Sequence, residues 1–148
     1  MRYFDASALV KGYVHESGTR TVEYLLASGT VAVSRLSEVE VASALARRAR
    51  TGHCTVEERD VRLAKLNREL PSFLVVEVVP AVTSRARALL HAYALRASDA
   101  IQLASCYHLQ DRLGHDVPFV VFDARLAAVA RESGATVLGV GGGEPAQR

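Results

Sequence analysis

The sequence predicts an α/β domain of three layers, in which helices cover both faces of a central parallel sheet. Short apolar runs rich in β-branched residues alternate along the chain with longer segments of helical pattern, which is typical of parallel strands connected by helices. The run FVVF at 119–122 is apolar without alternation, as expected for a strand covered on both faces. With 148 residues and 49% hydrophobic content, the chain can build one domain around a single core.

The elements follow in order from these patterns. Strands are expected at RYF (2–4), TVAVS (30–34), FLVVEVV (73–79), PFVVF (118–122) and ATVLGV (135–140). Helices are expected at 7–14, 19–28, 37–50, 55–70, 81–95, 98–113 and 124–133. The last residues, 141–148, contain Gly and Pro and predict a flexible C-terminal tail, so the domain is expected to span residues 1–140.

Composition excludes several classes of protein. No stretch approaches the roughly 20 apolar residues that a membrane span requires, and no secretory signal is visible at the N-terminus. The only cysteines, Cys54 and Cys106, form no C-x-x-C motif, which favours a reducing, cytoplasmic setting. The five histidines lack the spacing of zinc ligands. A net charge of +2 neither demands nor excludes a nucleic-acid partner.

Acidic residues are expected at one edge of this sheet. Asp5 and Asp123 directly follow predicted strands. Glu40 is expected in the first turn of the helix after TVAVS, and Asp99 at the start of the helix SDAIQLA. Ligands of open α/β sheets bind beyond the carboxyl ends of the strands. These four acids, although distant in sequence, are therefore expected to converge.

Helix capping is the alternative explanation, because Asp and Ser are favoured N-caps and acids complement the helix dipole. Asp123 fits this explanation best, since DARL begins a helix. Asp5 fits it less well, because Ser7 is an equally good cap two residues later. Ser98 can likewise cap in place of Asp99. Capping alone therefore leaves two of the acids unexplained.

Carboxylates gathered at one place repel one another unless a cation compensates their charge. Ligand sets made only of oxygen favour Mg²⁺ or Mn²⁺ over zinc. Such an ion lowers the pKa of a bound water and stabilises charge on a phosphoryl oxygen. A cluster of acids without a nucleophile motif therefore predicts metal-assisted hydrolysis of phosphodiester bonds.

Four segments carry a resemblance to a known family. They are FDASALVKGYVHE, SRLSEVEVASALARRARTG, LRASDAIQLAS and FVVFDARLAAVARESGATVL, in this order across nearly the whole chain. Together they resemble the PIN-domain ribonucleases, specifically the VapC-type toxins of bacterial toxin–antitoxin pairs. The resemblance implies a five-stranded parallel sheet and Mg²⁺- or Mn²⁺-dependent endonucleolytic cleavage of RNA. It also implies a homodimer and a cognate VapB-type antitoxin, for which 8–14, 21–26 and 39–46 are candidate docking surfaces.

The resemblance also implies a set of site residues. The four acids of the family fall on Asp5, Glu40, Asp99 and Asp123, and its small hydroxyl residue falls on Ser7. The three aspartates are expected to hold the metal, and Glu40 to orient or deprotonate the attacking water. Glu38 competes with Glu40, since the two lie on nearly opposite faces of a helix. The family pattern E-x-x-x-A-L matches residues 40–45 and favours Glu40.

Other assignments stay open at this stage. Arg47, Arg48 and Arg50 end the helix that carries Glu40 and are expected to hold the RNA backbone, although a solvated last turn that complements the helix dipole also explains them. The alternative function is a non-catalytic PIN-like module that binds RNA or protein. Aspartate-nucleophile phosphatases and receiver domains do not fit, because Asp5-Ala6-Ser7 lacks a second acid and no lysine follows Lys65.

Overall fold

A parallel sheet organises the chain, of which the computed structural model describes residues 1–139. Its strands are β1 (Arg2–Phe4), β2 (Val31–Ser34), β3 (Leu74–Val76), β4 (Phe119–Val121) and β5 (Val137–Gly139). All neighbouring strands pair in parallel, in the order β3-β2-β1-β4-β5. The predicted five-stranded α/β class is confirmed. The expected tail at 141–148 lies outside the described residues, so the domain limit stays a prediction.

Helices connect these strands. They are α1 (Ala6–Leu9), α2 (Thr19–Ala27), α3 (Arg35–Arg50), α4 (Val56–Glu69), α5 (Pro80–Ala92), α6 (Ala97–Leu113) and α7 (Ala124–Glu132), with 3₁₀ turns at Val10–Gly12 and Leu70–Ser72. Helix α3 begins two residues before its predicted start, because the Ser34 hydroxyl accepts from the backbone N–H of Leu36 and caps it. Strand β3 is shorter than predicted and ends at Val76, and Pro80 occupies the first position of α5.

Successive residues of β1 supply two separate cores. Tyr3 is fully buried among residues of α5, α6 and α7, and its ring stacks on Phe119 with 5.6 Å between centroids. Phe4 is equally buried on the opposite face, against residues of α1 to α4 such as Leu9 and Val41. Strand residues point alternately to the two faces of a sheet. Because helices cover both faces, a ligand reaches the sheet only at the ends of its strands.

The direction of the strand order reverses at β1. From β1 the chain adds β2 and then β3 on one side, whereas β4 and β5 lie on the other. The carboxyl ends of β1 and β4 therefore meet at a topological switch point, where open α/β sheets bind their ligands. Asp5 directly follows β1, and Asp123 lies two residues beyond β4.

Within residues 1–139, none of the helices combines the length and the apolar character needed to cross a bilayer.

Candidate active site

Asp5 is held rigidly where β1 turns into α1. It is the N-cap of α1, and its Oδ1 accepts from the backbone N–H of Ala8 over 2.9 Å. The Ser7 hydroxyl donates to the same oxygen over 2.7 Å. Asp5 therefore caps α1 itself, and Ser7, which the sequence offered as an equally good cap, donates its hydroxyl proton to Asp5 instead.

Burial governs the charge of Asp5, which is only 3% exposed. Desolvation raises the pKa of Asp5 to about 7, the hydrogen bonds from Ser7 and Ala8 oppose this rise, and the nearby charge of Glu40 adds to it. At neutral pH the ionised form of Asp5 is therefore unfavourable, and a neighbouring cation would stabilise it.

Ser7 joins the two strand ends at the switch point. While it donates to Asp5, its oxygen accepts from the backbone N–H of Phe122 over 3.0 Å and from that of Asp123 over 3.3 Å. One hydroxyl thus connects the residue that follows β1 to the chain that leaves β4. This contact fixes the separation between the first and last of the predicted acids.

Asp123 uses its two carboxylate oxygens differently. Oδ1 accepts from the backbone N–H of Leu126 over 2.9 Å and caps α7. Oδ2 lies 3.5 Å from the guanidinium of Arg96. Capping therefore accounts for one oxygen and leaves the other directed toward Arg96.

Glu40 lies in the second turn of α3, so its predicted place in the first turn is wrong. The reason is the early cap at Ser34, which starts the helix at Arg35. Glu40 is half-buried, and its Oε2 accepts from Nε2 of Gln102 over 2.6 Å. Burial raises the pKa of Glu40, and the charge of Asp99 raises it further.

Glu38 and Glu40 point to different surroundings. Glu38 forms a 3.5 Å ion pair with Arg35 near the start of α3. Glu40 instead contacts α6 through Gln102. Of the two glutamates that the sequence leaves in competition, Glu40 is the one that lies against the helix bearing Asp99.

Asp99 is the third residue of α6. The N-cap position of this helix is Arg96, which makes no side-chain capping bond, so Ser98 does not take the capping role that the sequence offered it in place of Asp99. The Arg96 guanidinium instead bonds Oδ2 of Asp99 through Nε over 3.1 Å, and it reaches Asp123 through Nη2. Arg96 is 70% exposed and lies over the two carboxylates from the solvent side.

The four acids form a connected series at the carboxyl edge of the sheet. The charge of Glu40 raises the pKa of Asp5, the charge of Asp99 raises the pKa of Glu40, and Arg96 joins Asp99 to Asp123. Within residues 1–139, however, no three His, Cys, Asp or Glu side chains converge closely enough to hold a metal ion. The donor set consists of carboxylate and hydroxyl oxygens, which is the chemistry that Mg²⁺ and Mn²⁺ prefer, and Arg96 supplies the positive charge between two of the carboxylates.

Arg96 and Gln102 are absent from the predicted set, although both lie in the segment LRASDAIQLAS. Each is three residues from Asp99, on the same face of α6 or its N-terminal extension. Gln102 is 1% exposed. A glutamine inside the otherwise apolar run AIQLA, spaced three residues from a candidate ligand, is the sequence signal that identifies it.

The three arginines at the end of α3 do not share one environment. Arg47 and Arg48 line a groove of about 430 Å³, whereas Arg50 is exposed outside it. Ala44 also lines the groove and lies four residues after Glu40, on the same face of α3. The groove therefore lies along α3 on the C-terminal side of Glu40, and the described residues that line it include none of the four predicted acids.

A five-stranded parallel sheet with carboxylates at its switch point defines the class of this domain and matches what the sequence motifs imply. The family model described as "PIN domain" matches residues 2–132. The chain belongs to the PIN-domain family.

Two curated relatives from Mycobacterium tuberculosis are 36% identical to this chain over 140 residues, covering 91% of it and 92% of each relative. They are ribonuclease VapC45 of strain CDC 1551 / Oshkosh and ribonuclease VapC49 of strain ATCC 25618 / H37Rv. The resemblance to VapC-type proteins is thereby confirmed.

Solved structures share the fold at low sequence identity. A toxin–antitoxin complex from Klebsiella pneumoniae matches with a TM-score of 0.66 at 18% identity, covering 93% of this chain and 96% of that one. VapC20 of Mycobacterium tuberculosis, a sarcin-ricin loop cleaving toxin, matches with a TM-score of 0.64 at 19% identity, covering 86% of this chain and 94% of that one. FitAcB from Neisseria gonorrhoeae matches with a TM-score of 0.69 at 15% identity, covering 93% and 96%.

Replacing Asp5 by Asn is expected to stabilise the metal-free protein in a pH-dependent way. The pKa of Asp5 rises from 3.8 to about 7 on folding. The contribution of Asp5 to the free energy of unfolding is therefore greatest below pH 3.8 and is lost as the pH rises through about 7. The variant should match the wild type near pH 4 and exceed its free energy of unfolding by roughly 2–4 kcal/mol at pH 8. Urea unfolding in EDTA at both pH values measures this.

The exposed Asp60 provides the matched control, since Asp60→Asn removes a carboxylate that is 60% exposed. Its effect should be small at both pH values. A gain from Asp5→Asn that stays constant between pH 4 and pH 8 would contradict the burial explanation.

Proposed function

We propose that this protein is a divalent-metal-dependent endoribonuclease that acts as the toxin of a toxin–antitoxin pair. The observation that supports this best is the meeting of Asp5 and Asp123 through Ser7 at the switch point, with Glu40 and Asp99 beside them. The names of the 36% identical relatives, both ribonucleases, support the substrate class. The two free cysteines suit a cytoplasmic setting.

Asp5, Asp99 and Asp123 would hold Mg²⁺ or Mn²⁺. When bound, the ion supplies a water of lowered pKa and stabilises charge on the phosphoryl oxygens. The residues of this chain bring the acids together beforehand, since Ser7 bridges Asp5 to the end of β4 and Arg96 bridges Asp99 to Asp123.

Glu40 would orient or deprotonate the attacking water. Its half-buried position raises its pKa, and a carboxylate of raised pKa accepts a proton more readily than an exposed one. The hydrogen bond from Gln102 holds its Oε2, and a side-chain hydrogen bond from Ser98 also favours its ionised form.

The groove beside the site would bind the RNA backbone through Arg47 and Arg48, because guanidinium groups bind phosphate in bidentate fashion. Its apolar lining comes from Val10, Val14 and Ala44, which belong to two of the three surfaces expected to dock an antitoxin. A VapB-type segment in this groove would cover both arginines and thereby exclude RNA. Association into a homodimer stays a prediction from the resemblance.

A non-catalytic PIN-like module that binds RNA or protein is the second candidate. It is favoured by one observation, that no three acidic side chains within residues 1–139 converge as metal ligands. The two functions differ in whether RNA is cut.

Cleavage should depend on the aspartates. We expect Asp5→Ala and Asp99→Asn each to lower the rate of RNA cleavage in Mg²⁺ or Mn²⁺ by about 100-fold or more, since each removes a proposed ligand of the ion that activates water. Asp111→Asn is the matched control, because Asp111 lies on the same helix but is 66% exposed and pairs with Arg85. A gel assay on single-stranded RNA, with EDTA as a second control, measures the rates.

Rates near that of the wild type for both variants would end the catalytic assignment. RNA binding without cleavage by the wild type in either metal would favour the non-catalytic module.

Removing Arg96 should tighten metal binding. Its guanidinium neutralises Asp99 and Asp123, so it competes with an incoming cation for the same oxygens. We expect Arg96→Gln to raise the affinity for Mn²⁺ about 2–10-fold, the range of a solvent-exposed ion pair. Calorimetric titration with Mn²⁺ in the absence of RNA measures this.

Arg125→Gln serves as the comparison, because Arg125 lines a small cleft together with Arg96, Asp99 and Asp123 but forms no ion pair among the described residues. Its effect on Mn²⁺ affinity should be smaller. Weaker Mn²⁺ binding by Arg96→Gln would mean that Arg96 organises the ligands instead of competing with the ion.

The groove arginines should contribute to RNA affinity. The experiment uses the cleavage-deficient Asp99→Asn variant as its background. In it, we expect the double substitution Arg47→Ala/Arg48→Ala to weaken binding of a single-stranded RNA. The slope of log affinity against log salt concentration should fall by about 1.4, since two phosphate contacts are lost. Arg50→Ala is the matched control on the same helical turn. Equal salt slopes for the double variant and for Arg50→Ala would rule out the groove as the RNA track.

A further inference from the structure

A fully buried polar network lies beneath the carboxylates. Its members are at most 1% exposed and comprise Tyr3, Ser34, Ser37, Gln102 and Ser105. They come from β1, β2, α3 and α6, so the network joins four elements under the carboxyl edge of the sheet. Buried polar groups destabilise a fold unless they are hydrogen-bonded, and an apolar core would avoid the problem altogether. The chain therefore retains these groups at a place where they serve something other than packing.

Gln102 is the centre of this network. Its Oε1 accepts from the hydroxyl of Tyr3 over 2.8 Å. Its Nε2 donates to the hydroxyl of Ser37 over 3.0 Å and to Oε2 of Glu40 over 2.6 Å. The side chain thus uses both ends of its amide, one toward β1 and the other toward α3.

The chemistry of these partners permits only one orientation of the amide. An ionised carboxylate accepts hydrogen bonds and donates none, so the Nε2 group must face Glu40. If the amide were reversed, its carbonyl would meet the carboxylate oxygen at 2.6 Å, and two acceptors would repel each other. The same orientation places Oε1 where it accepts from the Tyr3 hydroxyl over 2.8 Å.

The position of Tyr3 explains why the network reaches the site. Tyr3 and Asp5 are two residues apart and therefore lie on the same side of the chain as it leaves β1. The ring of Tyr3 is fixed by its stacking on Phe119. The direction of the Tyr3 hydroxyl is thus determined by the core of the sheet.

We propose that Tyr3 and Gln102 form a positioning relay that sets the direction of the Glu40 carboxylate in the site. The core fixes Tyr3, the Tyr3 hydroxyl fixes the amide of Gln102, and Nε2 of Gln102 fixes one oxygen of Glu40. The inference rests on the proposed function, since it concerns the residue assigned to the attacking water. Tyr3 and Gln102 are positioning residues, because neither contacts substrate.

The kinetic experiment compares three variants under saturating Mn²⁺ with a single-stranded RNA. Gln102→Leu should lower kcat about 10–100-fold with KM nearly unchanged, since displacement of a catalytic group by about 1 Å has effects of this size. Tyr3→Phe keeps the ring but removes the hydroxyl, and it should lower kcat about 3–10-fold, the value of one hydrogen bond. Tyr107→Phe is the matched control, because it removes a Tyr–Ser hydrogen bond of 2.6 Å in another part of the core, and its kcat should equal that of the wild type.

A second measurement does not depend on cleavage. In metal-free buffer, urea unfolding of Gln102→Leu, Glu40→Gln and the double variant should be non-additive, because Gln102→Leu removes and Glu40→Gln weakens the same charge-assisted hydrogen bond. The pair Tyr107→Phe and Glu40→Gln should be additive. This cycle tests the contact even if the protein cleaves no RNA.

The outcomes separate the relay from the proposed function. Non-additive unfolding free energies for Gln102→Leu and Glu40→Gln, together with a lower kcat for Tyr3→Phe, support the relay. Equal kcat for Tyr3→Phe, Tyr107→Phe and the wild type, or additive unfolding of Gln102→Leu with Glu40→Gln, overturns it. If these two changes are non-additive in unfolding but the wild type cleaves no RNA, the proposed function is overturned and the contact between Gln102 and Glu40 is not. If Gln102→Leu does not fold, Tyr3→Phe decides the kinetic test.

Discussion

Repulsion among carboxylates at one edge of the sheet is the constraint on which this site depends. Each acid has its own compensation within the chain. Asp5 accepts two hydrogen bonds at one oxygen, Glu40 accepts from a buried amide, and Arg96 lies between Asp99 and Asp123. Asp5 is compensated only in part, because its burial still raises its pKa to about 7. A cation bound beside it would stabilise its ionised form.

Capping and site formation turn out to be compatible uses of the same acid. Asp5 caps α1 directly after β1, and Asp123 caps α7 two residues beyond β4. A cap needs one carboxylate oxygen, and a carboxylate has two. Because a helix that follows a strand begins at the carboxyl edge of the sheet, a capping aspartate there lies at the edge where ligands bind, and in Asp123 the second oxygen is the one that faces Arg96.

Helix α3 carries residues of both the proposed active site and the groove. Its first residues are held by the cap at Ser34, its second turn carries Glu40, and its last turns carry Arg47 and Arg48 along the groove. A segment that fills the groove would lie over Arg47 and Arg48, in the last turns of the helix that carries Glu40. Under the proposed function, a partner segment and RNA would compete for these two arginines.

The sequence by itself determined the α/β class and the positions of the three aspartates, because strand runs, helix periods and residues at strand ends are local patterns. Only the tertiary structure decided which glutamate faces α6, which arginines line the groove, and that Asp5 instead of Ser7 caps α1. It also revealed Arg96 and Gln102, whose partners lie as far as 99 residues away along the chain. Local spacing restricts the face on which a side chain lies, but its hydrogen-bond partner depends on which elements the sheet order brings together.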